Sequence, residues 1–144
     1  NKGIGTMQTG KYSGWNFADE LEKRKSIGLD EPIFAEELLS RVKPYIEGDI
    51  EDIYSTAKNG GVYKDSYKYA DSLTRPQLEK AIKSHIKQAE EHEWKIRNPE
   101  ENSDRYKYGN DNQKKIVLND WYNHRRKNSR LATIEIRLWE EKFR

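Results

Sequence analysis

Two of the chain's three histidines stand seven residues apart in "SHIKQAEEHEWKI", Ser84 to Ile96. Imidazole takes and gives protons near neutral pH because its unperturbed pKa is about 6.5. Seven residues of helix separate two Cα atoms by roughly 10 Å, at about 1.5 Å of rise each. That is too far for His85 and His92 to grip one metal ion; zinc-binding helices use a spacing of four. It suits two rings flanking a larger group such as a phosphodiester. Cleavage of RNA through the 2′-hydroxyl needs a base on one side and an acid at the leaving oxygen. It also needs a cation for the charge developing on phosphate. Candidates for that cation are Lys83 and Lys87 beside the pair, or Arg125 from a facing helix. The alternative is structural: each ring hydrogen-bonds a facing carboxylate or carbonyl at the core boundary and does nothing more.

A second constellation is "NDWYNHRRKNSR", Asn119 to Arg130. It mixes Trp121 and Tyr122 with His124, Arg125, Arg126, Lys127 and Arg130. Cations for phosphate and aromatic faces for bases are what a single-stranded nucleic-acid surface requires. The alternative is a solvated basic helix with Trp121 in the core. Arg125 stands apart because it falls on the apolar stripe. If the two long helices pair antiparallel, Arg125 and His124 come near His85 and His92. A third option is a hard cation held by "EEHE", Glu90 to Glu93, with Asp120, for a metal-dependent nuclease. "KNGGVYK" lacks the phosphate-loop pattern.

The elements that must position these residues read as helices. Residues 1 to 14, with four Gly, form a flexible lead, and residues 15 to 144 form a single helical domain. "NFADELEKRKSIG" reads as a helix capped by Asn16 and ended at Gly28. From Asp30 to Gly61 the pattern is one kinked helix or two. Phe34, Leu38, Leu39 and Val42 form the first stripe, Pro44 interrupts, and Tyr45, Ile46, Ile50, Ile53, Tyr54 and Ala57 form the second. Residues 62 to 72 alternate tyrosines with polar residues. They read as a short β or extended segment, or as a tyrosine-rich loop. Thr74 caps the next helix, with Gln77 completing a capping box and Asn98-Pro99 ending it. Its core stripe is Leu78, Ala81, Ile82, His85, Ile86, Ala89, His92 and Ile96. A polar loop leads to a last helix from about Asn112 towards Phe143, bent near "KNSR". Its stripe is Leu118, Trp121, Tyr122, Arg125, Ser129, Ala132, Ile136, Trp139 and Phe143. The expectation is a mainly α domain closed by a long antiparallel helix hairpin.

Composition narrows the classes. The chain is 33% apolar and 36% charged, yet 4 Trp, 9 Tyr and 3 Phe can supply core area that aliphatics do not. Absence of Cys excludes disulfides and thiolate metal sites. No apolar run approaches a membrane span. The chain opens on Asn1 with its only Met at position 7, so a piece of a longer protein is expected. From Trp15 to Ala57 there are 5 basic and 11 acidic residues; from Arg105 to Arg144 there are 11 basic and 5 acidic. Either the two halves pack and complement each other, or the basic half faces a polyanion.

"GKYSGWNFADELEKRKSIGL", "AKNGGVYKDSYKYADSLTRPQLEKAIKSHIKQAEEHEWKIRNPE" and the basic-aromatic last helix together resemble the C-terminal toxin modules of bacterial polymorphic toxin and contact-dependent growth-inhibition effectors. The likeness rests mainly on Leu78 to Pro99. It implies a secreted or surface-delivered effector piece acting in a target cell's cytoplasm, most often as a nuclease, with a cognate immunity protein. The expected function is a metal-independent ribonuclease, with transfer RNA as a candidate substrate, needing no cofactor. His85 and His92 would move protons, Arg125 and Lys83 would stabilise phosphate, and Trp121, Tyr122, His124, Arg126 and Lys87 would hold substrate. A non-enzymatic helical binding module and a metal-dependent nuclease are the second and third expectations.

Overall fold

The computed structural model describes residues 31 to 144, with side chains from Ala35 onward. The Gly-rich lead, the Asn16 to Gly28 helix and the Phe34 side chain lie outside the described residues. Among the described residues there is helix and no strand. Helix α1 spans Glu31–Val42. A 3-10 turn, Lys43–Tyr45, follows at Pro44. Then come α2 (Ile50–Lys58), α3 (Lys64–Asp71), α4 (Arg75–Arg97), the one-turn helices α5 (Pro99–Asn102) and α6 (Asp104–Lys107), and α7 (Asp111–Phe143). The Pro44 interruption therefore yields two helices, because the missing N–H and the crowded preceding residue tighten the chain into the 3-10 turn.

Helices α4 and α7 form the expected antiparallel hairpin, and both start on capping boxes. Thr74 Oγ1 accepts from the Gln77 N–H while Gln77 Oε1 accepts from the Thr74 N–H. Asn110 and Gln113 repeat the exchange at the start of α7. Each box satisfies donors a helix start leaves open, so the register of both helices is set locally. The polar loop between them contains α5 and α6. Ser103 starts α6 by accepting from the Tyr106 N–H at 3.0 Å.

One expectation fails here. The segment 62 to 72 is not extended: α3 occupies most of it. The period that matters is four and seven, not two. Tyr63, Tyr67 and Ala70 share the face that packs on the core, with Tyr67 edge-on to Tyr54 at 6.0 Å between ring centroids. Tyr69, which completes the apparent alternation, is exposed. Gly60, at φ +92, makes the turn that reverses the chain before α3. Helix α7 carries through "KNSR" as one helix. It runs for 33 residues, roughly 50 Å at about 1.5 Å per residue, without interruption.

The core is built around α7. Ala35, Leu38 and Val42 of α1, Tyr54 and Ala57 of α2, Ala70 of α3 and Leu78, Ile82 and Ile86 of α4 converge on Ala132, Ile134, Ile136, Leu138 and Trp139. From Leu131 to Ile136 every residue of α7 is buried, so this stretch is enclosed on all sides. A helix apolar all round is one that other helices surround. The two charge-biased halves complement each other across this body. Arg137 pairs with Glu51 at 2.8 Å and Arg126 with Glu47 at 3.3 Å. Among the described residues no helix is long and apolar enough to cross a membrane.

Candidate functional site

The seam between α4 and α7 is lined by polar pairs at regular intervals. Starting from the open end of the hairpin, Trp139 Nε1 donates to Glu79 at 3.0 Å. His85 Nδ1 lies 2.9 Å from Glu135 Oε1. Further on, Glu93 of α4 accepts from Arg125 of α7, and the rings of His92 and His124 meet with centroids 5.1 Å apart. Antiparallel register sets this order: ascending α4 numbers meet descending α7 numbers.

His85 and His92 therefore have different environments. His85 is held by Glu135, which is buried in the enclosed part of α7. Burial pushes the Glu135 carboxyl up, and the His85 contact pulls it part of the way back. The imidazole is anchored as a polar plug of the core. His92 turns its Nδ1 to the Gln88 carbonyl at 2.8 Å. A carbonyl can only accept, so Nδ1 carries the proton and Nε2 keeps its lone pair. Burial lowers the His92 pKa; Lys95 and His124 add to this against the opposing Gln88 hydrogen bond and Glu91 charge. His124 itself is exposed.

The other expected site residues divide. Arg125 does reach the seam, where Nη1 donates to Glu93 and Nε is buried without a hydrogen-bond partner among the described residues. It pairs with Glu93 and lies over the rings of Tyr45 and Tyr122, 5.0 Å from each centroid. It is a brace between α4, α7 and the 3-10 turn. Arg126 is tied to Glu47 and Asn123, away from the histidines. Lys83 and Lys87 stand two residues to either side of His85, about 160° around the helix from it, and so face elsewhere. Trp121 is half-buried, and Tyr122 is exposed with Arg125 against it. Among the described residues no group of three His, Asp or Glu side chains could hold a metal ion, so Glu90 to Glu93 and Asp120 do not converge on one.

Four further participants are not marked by the histidine or basic-aromatic patterns. Glu135 looks like a surface carboxylate on α7 but sits inside the apolar run "LATIEI", which is the signal that every face there is covered. Gln88 acts through its backbone, which leaves no trace in residue type. Lys95, one turn from His92, is close enough to influence it. Glu90 points at α1, where Arg41 Nη1 is 3.8 Å from one carboxylate oxygen and the other oxygen is buried without a partner among the described residues.

No family model matches the chain, and no characterised protein or solved structure matches it.

Proposed function

We propose that this domain is a metal-independent ribonuclease in which the proton-transfer pair is His92 and His124, with His85 structural. The observation that carries the reading is the meeting of two imidazoles from different helices, 5.1 Å apart at an accessible stretch of the seam. His92, with its Nε2 lone pair open, takes the proton of a 2′-hydroxyl. The 2′-oxygen attacks phosphorus, the bond to the 5′-oxygen breaks, and protonated His124 returns a proton to that oxygen. The products are a 2′,3′-cyclic phosphate and a 5′-hydroxyl. The His124 ring is exposed, so rotation about its side chain widens the pair to admit the phosphate. Lys95 and Lys127, each one turn beyond a histidine on its own helix, supply the positive charge. Trp121 and Tyr122 offer faces for the neighbouring bases.

The resemblance to polymorphic toxin modules supports the same reading. It adds delivery from outside the target cell, transfer RNA as the substrate class to try first, and an immunity protein that covers the site. The test is incubation of the purified domain with total RNA in EDTA. Cleavage that leaves cyclic phosphate ends, abolished by His92→Ala or His124→Ala and retained in His85→Ala, is expected. RNA left intact by the folded domain in EDTA, or cleavage that survives both of the first two substitutions, would overturn the assignment. A helical binding module is the second reading. It is favoured by His85, whose ring is held by Glu135 within the fold as a structural histidine is.

A further inference from the structure

The polar pairs of the seam differ in what they leave open. Glu79, Glu135 and Glu93 each receive a donor from the opposite side, whereas His92 and His124 bring together two rings that can both offer a nitrogen lone pair. We infer that this pair is also a binding site for one divalent transition-metal ion of the zinc type, and that such an ion reversibly shuts off the site.

The spacing of the two rings matches that of a chelate. Zinc–nitrogen bonds of about 2.0–2.1 Å directed tetrahedrally hold the centroids of two coordinated imidazoles roughly 5.2 Å apart. The His92 and His124 centroids are 5.1 Å apart, with the ring planes inclined at 58°. The Gln88 carbonyl fixes the His92 tautomer by accepting from Nδ1, which leaves the Nε2 lone pair free for an ion. A backbone carbonyl behind the ligating ring is the usual support of a metal-bound histidine. Two residues seven apart on one helix cannot chelate, but two from facing helices at one level of an antiparallel seam can.

The same structure limits the affinity. No third carboxylate or imidazole joins the pair among the described residues. Lys95 adds positive charge beside His92. Water must complete the coordination shell, so binding weaker than at a zinc site with three or four protein ligands is expected. Imidazole ligands select zinc, copper and nickel over magnesium and calcium. Occupancy ties up the lone pairs that proton transfer requires. The inhibitory consequence rests on the ribonuclease reading; the metal site does not.

Calorimetric titration of the whole domain with zinc chloride at neutral pH tests the site. Uptake of one ion per chain is expected, weakened about tenfold or more by His92→Gln and by His124→Gln and unchanged in His85→Gln. Magnesium should give no binding heat. His124 is exposed, so His124→Gln tests the site even if His92→Gln fails to fold. No zinc uptake at millimolar concentration, or uptake indifferent to His124→Gln, would overturn the inference. RNA cleavage with and without zinc is the second readout. Zinc binding with RNA uncut in every buffer leaves the metal site standing and removes the ribonuclease; zinc binding with cleavage undiminished removes the shut-off.

Discussion

Replacing Glu90 with Gln should stabilise the domain, and only above the pH at which Glu90 begins to ionise. Its carboxylate has one oxygen buried with no partner among the described residues, and Arg41 stands 3.8 Å from the other. Burial outweighs that attraction and the Glu90 pKa is pushed up to about 7 from 4.5. A folded-state pKa above the unfolded value means the folded chain binds a proton more tightly. Stability is then fully present below pH 4.5 and is lost as pH rises through 7. A tenfold difference in proton affinity is worth about 1.4 kcal/mol, so the whole window amounts to about 3 kcal/mol. The Glu90 side chain is 21% exposed, and solvent reduces the figure to about 2 kcal/mol. Glu90→Gln keeps the volume and removes the charge. Urea unfolding followed by tryptophan fluorescence, on both proteins across this pH range, gives the difference directly. The variant should be about 2 kcal/mol more stable at about pH 8, with the gain shrinking to nothing near pH 4.5. A variant equally or less stable at the higher pH would refute the reasoning: Arg41 would then offset the desolvation of the carboxylate in full.

His85→Ala should cost about 2–4 kcal/mol, because it leaves Glu135 buried and unpaired. The Glu135 pKa is already raised and rises further without His85, so the penalty in chemical unfolding should be larger at alkaline than at acid pH. Arg125→Ala should cost less, about 1–2 kcal/mol, because Glu93 keeps Arg97 as a partner while Tyr45 and Tyr122 are uncovered. Its hydrogen-exchange signature should be loosening of the turn around Tyr45 with the α2–α3 region unaffected.

Local signals in the sequence are strong enough to place the hairpin. Thr74 with Gln77, the stripe from Leu78 to Ile86, and Asn98-Pro99 each act within a few residues, and each stands in the structure as read. The tyrosines of α3 mislead because aromatic side chains at positions 63, 67 and 69 satisfy a period of two and a period of four at once. Tertiary contact with Tyr54 decides between them. The pairing of histidines has a different obstacle. That His92 and His124 belong to facing helices is legible, but which histidine meets which depends on hairpin register. Register in turn depends on α5 and α6, short elements inside what reads as a polar loop. Arg125 does lie on the buried stripe, as its spacing implies. Its pairing follows from Glu93 and Tyr45, which nothing in their own neighbourhoods marks as partners.

The enclosure of α7 has a consequence for how this protein comes into being. Helices α1 to α4 each lean on α7, yet α7 follows all of them in the chain. As the polypeptide emerges from a ribosome amino end first, those helices have little apolar surface to close against until Leu131 to Trp139 arrives. Single amphipathic helices are marginal in water without such packing. The earlier helices therefore remain loose through most of the passage, and the fold is completed in one late step.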